Sequence, residues 1–324
     1  MSAVYGPVPS RRLGQSLGID PIPFKTCNYN CVYCQLGRTR PLTNQRRDFF
    51  PLENILAETQ AALTAFPKQI DYVTFVGQGE PLLCASLGRL IRGVKALTDI
   101  PVAVITNGAL LALPEVRAEV SAADVVMPSL DAADEATFRR INRPWPKLRL
   151  ADIIQGLAAF RNEFNGQLWV EVMLVRGLND NEECLLSIRD ALAQICPDQV
   201  QLNLPVRPPA EAWVQPPDDS GLMRATAILG DVAQLVMPYA GSFDLSPDTP
   251  AAEAIEQIIR RHPMREEELL ITLAGLSPDE MAAILRDLEV GGRARSLVYR
   301  SQRFWTHAEG YYGDLKHQGS DVAS

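Results

Sequence analysis

The stretch Cys27-Asn-Tyr-Asn-Cys31-Val-Tyr33-Cys34 places three cysteines in one short loop with the spacing C-x3-C-x2-C. Thiolates from such a loop can hold three irons of a cubane [4Fe–4S] cluster. The fourth iron then lacks a protein ligand, and an open coordination position is typical of catalytic metal sites rather than structural ones. A zinc knuckle would need a fourth Cys or His nearby, and none follows before Cys84. The loop therefore predicts a cluster held by Cys27, Cys31 and Cys34.

Length and composition limit the class of protein. The chain has 324 residues, which suits two domains, or one large domain with an appendage. Its apolar fraction of 47% and charged fraction of 22% are ordinary for a globular protein. No apolar run approaches the ~20 residues that span a bilayer, and the N-terminus lacks the apolar core of a signal peptide. We therefore expect a cytoplasmic protein without membrane segments, and the net charge of −8 argues against a generally basic nucleic-acid binder.

Histidine is scarce in this chain. The three histidines are His262, His307 and His317, so the first 240 residues contain none. This excludes Ser-His-Asp, Cys-His and His-ligated metal chemistry from the main domain. Catalysis there must use the cluster, carboxylates, amides, hydroxyls, Lys or Arg.

Short apolar runs alternate with longer amphipathic stretches along the first 240 residues. The runs predict strands at 16–20, 72–76, 102–105, 125–127, 168–175 and 200–204, and the stretches predict helices at 53–66, 85–97, 114–122, 150–164, 181–195 and 221–236. This order predicts an α/β fold with a parallel sheet and right-handed crossovers. An open doubly wound sheet and a curved barrel both fit the pattern, and in both the site lies at the carboxyl ends of the strands.

The chain beyond residue 240 reads as a separate unit. Residues 241–250 are rich in turn formers and predict a linker between the core, 1–240, and a small domain, 251–310. Three helices, at 251–261, 265–273 and 277–289, precede a hairpin at 295–299 and 303–307, and this order resembles a winged helix. The acidic third helix fits a DNA groove poorly, so we expect the unit to dock a substrate or a partner protein. Residues 311–324 are expected to form a flexible tail.

A glycine-rich turn, Gly77-Gln-Gly79-Glu80-Pro81, follows the second predicted strand. By itself it reads as an ordinary turn. Together with the cysteine loop and the aromatic Tyr33 before the third cysteine, it resembles the radical S-adenosylmethionine (radical SAM) enzymes. In that family the free iron chelates the amino and carboxylate groups of SAM, and a G-G-E-P motif holds the amino group. The resemblance implies a partial (β/α)6 barrel, with Tyr33, Gly79 and Glu80 binding the cofactor.

Small polar residues end the next two predicted strands: Asn107 follows the third, and Ser129 and Asp131 follow the fourth. Such residues often cap helices and form turns. The resemblance implies instead that they line the ribose and methionine of SAM.

Polar residues also alternate with apolar ones on the last two predicted strands. Glu171 on the fifth, and Gln201 and Asn203 on the sixth, should point into the barrel lumen, away from the helices. A carboxylate in that position is costly unless it is paired or functional. Glu171 therefore forms a structural ion pair, for example with an arginine, or it contacts SAM or substrate, and Asn203 is predicted as a further cofactor contact.

Two basic stretches, 37–47 and 138–144, are expected near the mouth of the site. Charge runs are usually solvated surface. The functional alternative is recognition of a phosphate-bearing or otherwise anionic substrate.

Residues 5–34 together with 77–81 look like a group of bacterial and archaeal radical SAM proteins classed beside the wyosine-forming tRNA enzymes. Those enzymes carry a second cluster on upstream cysteines, but no cysteine precedes Cys27 here, which argues against the wyosine reaction. The resemblance implies reductive cleavage of SAM, with an electron from an external donor such as flavodoxin or ferredoxin. The resulting 5′-deoxyadenosyl radical would abstract hydrogen from an RNA, peptide or protein substrate. The alternative is an Fe–S redox sensor with a DNA- or protein-binding winged helix, which would not need Gly79 and Glu80.

Overall fold

The computed structural model describes residues 2–230, 232–236, 250–273 and 275–313. One sheet organises the main part of the chain. Its strands are β1 (Val4–Ser10), β2 (Gly14–Ile19), β3 (Tyr72–Phe75), β4 (Val102–Thr106), β5 (Val125–Pro128), β6 (Gln167–Met173), β7 (Gln199–Asn203) and β8 (Ala233–Leu235). The pair β1–β2 is antiparallel, and every later pair is parallel.

The spatial order of the strands distinguishes the two predicted architectures. A doubly wound sheet reverses its strand order at a switch point, whereas this sheet runs from β1 to β8 in chain order. Right-handed crossovers between successive parallel strands then put the helices on one face. The sheet is therefore a partial barrel whose other face encloses a lumen, as predicted.

Seven α-helices accompany these strands in the described part of the core. They are α1 (Leu52–Ala65), α2 (Leu87–Leu97), α3 (Pro114–Val120), α4 (Glu135–Ile141), α5 (Leu150–Glu163), α6 (Glu182–Ile195) and α7 (Asp219–Leu229). Side-chain caps fix several starting points: Asp134, Asn181 and Asp218 each accept a hydrogen bond from a backbone N–H in the first turn of α4, α6 and α7. Each such cap satisfies an amide that the helix itself leaves unpaired.

The two faces of the sheet pack differently. On β6, Val170 and Val172 belong to the main core between the sheet and the helices, whereas Trp169 packs with Val125 and Met127 in a separate cluster. The alternation that the sequence predicts for this strand is confirmed. Glu171 shares the face of Trp169, as strand geometry requires.

Some boundaries differ from the prediction. The helix expected at 221–236 is wrong beyond Leu229, because Gly230 adopts a φ of +76° and the chain then enters β8. Strand β1 was not predicted, since Pro7 and Pro9 are unusual inside a strand. They are accommodated because β1 is an edge strand.

The C-terminal unit has its own helices, hairpin and core. Its elements are α8 (Ala251–Arg261), α9 (Glu266–Thr272), α10 (Pro278–Val290), β9 (Ala294–Tyr299) and β10 (Gln302–His307). Ile255, Leu285 and Trp305 are among the buried residues that pack together inside it. Three helices and a hairpin occur in the predicted order, and the likeness to a winged helix stays a prediction.

The remaining parts of the predicted domain organisation lie largely outside the described residues. Of the predicted linker, 241–250, the structure describes only Pro250. Of the predicted tail, 311–324, it describes residues 311–313. Residues 311–313 pack against the core, where the hydroxyl of the buried Tyr312 donates to Gln35 O at 2.6 Å. None of the helices among the described residues has the length and apolar character needed to cross a bilayer.

Candidate active site

A cavity of about 280 Å³ lies at the carboxyl ends of the strands. Its walls come from the cysteine loop, the turn after β3, the ends of β4 and β5, the loop after β7, and the turn between β1 and β2. This is the position at which parallel α/β barrels place their ligands.

The three loop cysteines, Cys27, Cys31 and Cys34, all line this cavity as free thiols. In the described part of the chain, no three Cys, His, Asp or Glu side chains are placed to share one metal ion. A cubane cluster does not require that arrangement, because each thiolate binds a separate iron. The donor set therefore fits a [4Fe–4S] cluster with one iron left open.

Donor groups approach each of the three sulfurs. Tyr29 N donates to the first at 3.3 Å, with the Asn107 amide also within 3.8 Å. The Asn142 amide lies 3.6 Å from the second, and Lys25 Nζ donates to the third at 3.1 Å. Hydrogen bonds to the sulfurs of an iron–sulfur site tune its reduction potential, so these four residues would influence how easily the cluster accepts an electron.

Burial strongly disfavours ionisation of two of these thiols. It raises the pKa of Cys27 to about 12, and the nearby Glu80 raises that pKa further. It also raises the pKa of Cys31 well above its usual range, with Asp131 adding to the effect. Iron binds thiolates, so loading the cluster must release protons from these buried thiols.

The glycine-rich turn after β3 is joined to the cysteine loop through the backbone. Lys25 N donates to Gln78 O at 2.7 Å, and Glu80 N donates to Thr26 O at 2.9 Å. A Cβ atom built on Gly79 would lie 1.9 Å from Thr26 O. Glycine is therefore required at this position because the two backbone segments are in direct contact.

Glu80 is buried at the end of this turn and is held by three hydrogen bonds. Its carboxylate accepts from Thr106 Oγ1 at 2.5 Å, from Asn107 N at 2.7 Å and from Leu82 N at 2.9 Å. Burial raises the pKa of Glu80 to about 7, although these hydrogen bonds oppose the shift. The side chain lines the cavity, so its fixed carboxylate can accept hydrogen bonds from an amino group of a ligand.

Asp131 lies behind the cavity wall and organises the cysteine loop. It accepts hydrogen bonds from the hydroxyl of Tyr33, from Asn142 Nδ2 at 2.6 Å and from Met173 N at 2.8 Å. Burial raises the pKa of Asp131, and the hydrogen bonds from Tyr33, Met173 and Asn142 oppose that shift. Through Tyr33 and Asn142, this carboxylate fixes both the aromatic residue of the motif and a hydrogen-bond donor to Cys31.

Five of the eight predicted cofactor-binding residues line the cavity: Tyr33, Gly79, Glu80, Asn107 and Ser129. Asp131 is not among the residues that line the cavity, but it accepts a hydrogen bond from Tyr33, which is. The predicted roles of these residues in binding SAM stay predictions.

The other two predicted residues, Glu171 and Asn203, take part in a buried polar group on the lumen face. Glu171 forms an ion pair with Arg12 and accepts a hydrogen bond from Asn203 Nδ2 at 3.0 Å. This is the structural ion pair that the sequence left open as an alternative for Glu171. A direct contact of either residue with SAM or substrate stays a prediction.

Some arginines of the two predicted basic stretches form ion pairs with carboxylates elsewhere in the chain. Arg38 and Arg143, one from each stretch, both pair with Glu211. Arg46 pairs with Glu119. The arginines that line the cavity, Arg11 and Arg207, come from outside both stretches.

Sequence reasoning missed several residues of the site. Arg11 and Arg207 line the cavity, Lys25 contacts the third cysteine and Asn142 the second. Only Lys25 had a usable signal, since it lies two residues before Cys27 in the same loop.

The C-terminal unit packs directly against the cavity wall. Arg260 Nε donates to Gln78 Oε1 at 2.7 Å, and Gln35 Nε2 donates to Arg261 O at 2.9 Å. Both Gln35 and Gln78 line the cavity. The guanidinium of Arg261 also lies 3.9 Å from the centre of the Tyr5 ring. The unit therefore supports two residues of the site.

Comparisons with known proteins agree with this geometry. The profile of the Radical SAM superfamily matches residues 22–187. A UPF0026 protein of Methanocaldococcus jannaschii is 35% identical over 313 residues, which cover 94% of this chain and 96% of that protein. A UPF0026 protein of Synechocystis sp. is 42% identical over 208 residues, which cover 64% of this chain and 76% of that protein.

Among solved structures, a radical SAM methyltransferase from Sphaerobacter thermophilus superposes with a TM-score of 0.51 at 18% identity, covering 68% of this chain and 65% of that one. This likeness concerns the fold alone. Members of the superfamily are enzymes that use a [4Fe–4S] cluster and SAM and typically need an external electron donor. With its matching profile and its UPF0026 relative of nearly equal length, this chain belongs to the radical SAM superfamily.

Proposed function

We propose that this protein is an enzyme that cleaves SAM reductively and modifies an anionic or macromolecular substrate. The observation that carries the proposal is that three cluster-type cysteines and the fixed carboxylate of Glu80 line one cavity. Cys27, Cys31 and Cys34 would hold the [4Fe–4S] cluster. When bound, the cluster and SAM supply the one-electron chemistry that yields a 5′-deoxyadenosyl radical.

The residues of this chain would bind, orient and shield SAM. Glu80 would accept hydrogen bonds from its amino group, since both of its carboxylate oxygens are already oriented by fixed donors. Asn107 and Ser129 would contact the ribose and methionine portions. The apolar side chains of Val76 and Ile105 also line the cavity, and they would help to exclude water from a reactive species.

The substrate class and the partners are part of the same proposal. An external one-electron donor such as flavodoxin or ferredoxin would supply the electron. The substrate would be an RNA, a peptide or a protein, and the unit at 251–310 would dock it or a partner protein beside the cavity. Support for this placement comes from the contacts of Arg260 and Arg261 with the residues of the cavity wall. Mass spectrometry of RNA and proteome from cells with and without the protein would identify the product.

The reaction is tested directly on SAM. Anaerobically reconstituted protein, reduced with dithionite and incubated with SAM, should release 5′-deoxyadenosine, measured by liquid chromatography and mass spectrometry. Cys31→Ala should abolish the product, whereas Cys196→Ala, which alters an exposed thiol outside the cavity, should not. S-adenosylhomocysteine as the only product would indicate ordinary methyl transfer and would refute the proposal.

A further inference from the structure

Three arginines meet beside the predicted SAM site. Arg11 and Arg12 lie in the turn between β1 and β2, and Arg207 lies in the loop after β7. Arg11 and Arg207 line the cavity, and Arg12 reaches Glu171 on the lumen face of β6. Residues from opposite ends of the sheet therefore bring three guanidinium groups to one region of the lumen.

The positive charge of this arginine cluster is only partly balanced. Within the described residues, neither Arg11 nor Arg207 forms an ion pair, and Glu171 is the single carboxylate paired with the cluster, through Arg12. Arg207 donates one hydrogen bond, to the neutral side chain of Gln35, at 3.2 Å. Counted by ion pairs, three guanidinium groups and one carboxylate leave an excess of two positive charges, which the more distant carboxylate of Glu268 partly offsets at Arg207.

The crowding of these charges is unfavourable for the protein alone. Burial lowers the pKa of Arg12 to about 9, and repulsion from Arg11 and Arg207 lowers it further. Burial likewise lowers the pKa of Arg207 to about 10, again with a contribution from Arg11, and the carboxylate of Glu268 opposes this shift. The neighbouring His262 adds no charge, because burial and the surrounding arginines hold its pKa well below the usual range. A bound anion would relieve the repulsion among the three guanidiniums.

Hydrogen-bonding groups without partners lie in the same lumen. Arg12 Nε, Trp169 Nε1, Gln201 Oε1 and Asn203 Oδ1 are buried and have no hydrogen-bond partner among the described residues. The last three come from the neighbouring strands β6 and β7, in which Glu171 is paired in register with Gln201. Buried polar groups are normally satisfied by protein or by water, so these atoms leave room in the lumen for a polar ligand. The donors Arg12 Nε and Trp169 Nε1 can meet an anion, whereas Gln201 Oε1 and Asn203 Oδ1 accept from water or from a donor group elsewhere on the ligand.

We propose that Arg11, Arg12 and Arg207 bind a phosphate monoester group of the substrate, next to the site where SAM binds. This inference rests on the proposed function, since it assigns part of the substrate to the same cavity. A phosphate monoester carries a charge of about −1.5 to −2 at neutral pH and three acceptor oxygens, which matches the excess charge and the planar donor forks of the arginines. A carboxylate carries a single charge and would leave the cluster partly unbalanced.

The test uses the reconstituted holoenzyme saturated with SAM, so that the carboxylate of SAM already occupies its own site. Inorganic phosphate is titrated calorimetrically at constant ionic strength, with acetate as the carboxylate probe. We expect one phosphate per chain and weaker binding of acetate. Arg11→Ala and Arg207→Ala should each weaken phosphate binding by about tenfold or more, because each removes a charge-assisted hydrogen bond. Arg207→Lys should retain part of the affinity, since it keeps the charge.

The matched control is Arg40→Ala, which removes an exposed arginine that stacks on Tyr311, 4.9 Å from the ring centre. It should bind phosphate like the wild type. Iron content and melting temperature, measured for every variant, show which variants are folded. Displacement of phosphate by adenosine 5′-monophosphate or by O-phosphoserine would support the site and distinguish a nucleotide source from a phosphopeptide source. Failure of both competitors would identify an adventitious ion only and would overturn the proposal.

Two other results would also overturn the proposal of a phosphate site. Equal affinity for acetate and phosphate would identify a carboxylate site. A loss of SAM affinity in Arg11→Ala and Arg207→Ala, with phosphate binding intact, would show that these arginines hold the carboxylate of SAM. The proposed function has its own test, and it fails if the wild type releases no 5′-deoxyadenosine from SAM. Phosphate binding can still be measured in that case, so the two failures are distinguishable.

Discussion

The cluster side and the arginine side of the cavity differ in how their polar groups are satisfied. On the cluster side, Glu80 and Asp131 each accept three hydrogen bonds from neighbouring groups of the fold. On the arginine side, Arg11 and Arg207 form no ion pair within the described residues, and Gln201 Oε1 is buried without a partner there. The two carboxylates of the cluster side are therefore satisfied within the protein, whereas the arginine side keeps positive charge that no ion pair balances.

The proposed function gives the two sides different requirements. A cofactor binds more tightly to groups that are already fixed, because those groups lose little conformational entropy on binding. Glu80 and Asp131 are held in that way. An excess of like charge is unfavourable in the free protein, and a substrate of opposite charge would remove that cost. We therefore interpret the cluster side as preorganised for SAM and the arginine side as selective for the substrate.

The largest expected effect would come from removing a cysteine of the cluster side. Cys27→Ala, Cys31→Ala and Cys34→Ala should each lose most of the iron, from about four per chain in the reconstituted wild type, because a cubane needs each thiolate. Iron and sulfide analysis with the visible absorption spectrum measures the loss. Cys84→Ala is the control. If it lost as much iron as the other three, the ligand assignment would be wrong.

The next largest effect is expected at Glu80. Glu80→Ala removes the carboxylate predicted to hold the amino group of SAM and leaves Thr106 Oγ1 and Asn107 N without their acceptor. We expect SAM affinity to fall by tenfold to about a hundredfold, since hydrogen bonds to charged groups contribute about 1.5–3 kcal/mol. Isothermal titration calorimetry on cluster-loaded protein measures it. Glu135→Ala, on the surface of α4, should keep wild-type affinity, and an unchanged affinity in Glu80→Ala would remove Glu80 from the binding site.

SAM affinity should also depend on pH through Glu80. Burial raises its pKa to about 7, and the carboxylate is the form that accepts hydrogen bonds from the ligand. Affinity should therefore fall as the pH drops below about 7, approaching about tenfold per pH unit, and this group should add no further gain at higher pH. The Glu80→Gln variant has no ionisable group at this position, so its SAM affinity should not fall in this way below pH 7. It should still show the pH dependence that comes from the amino group of SAM. A wild-type profile parallel to that of the variant would contradict the assignment.

The residues that the sequence placed correctly are those whose signals are local. Strand β4 and helix α5 were predicted within one or two residues of their observed ends, because apolar periodicity is read over a short window. The cysteine loop and Glu80 were found through short motifs. Each of these features depends on residues close together in the chain.

The arginine side could not be predicted because it depends on distant parts of the chain. Arg11 and Arg207 meet only after the sheet has curved into a partial barrel, and no spacing rule connects them. The ion pairs of the basic stretches could not be predicted for the same reason. Arg38 and Arg143 pair with Glu211, which is far from both of them in the chain. A charge run in a sequence does not reveal which carboxylate will neutralise it.

The smallest effect that we expect concerns the support of the cluster side by the C-terminal unit. Arg260 is buried, donates to Gln78 Oε1 at 2.7 Å and lies 3.2 Å from His307 Nε2. Arg260→Met should lower the free energy of unfolding by about 1–3 kcal/mol, because the acceptor on Gln78 is left buried without its donor. Because Gln78 adjoins Gly79, SAM affinity should fall only a few-fold, which is less than about 1.4 kcal/mol. Urea denaturation and calorimetry measure the two quantities, with Arg286→Met on the exposed side of α10 as the control. Equal stability and SAM affinity in both variants would show that the C-terminal unit does not support the cluster side through Arg260.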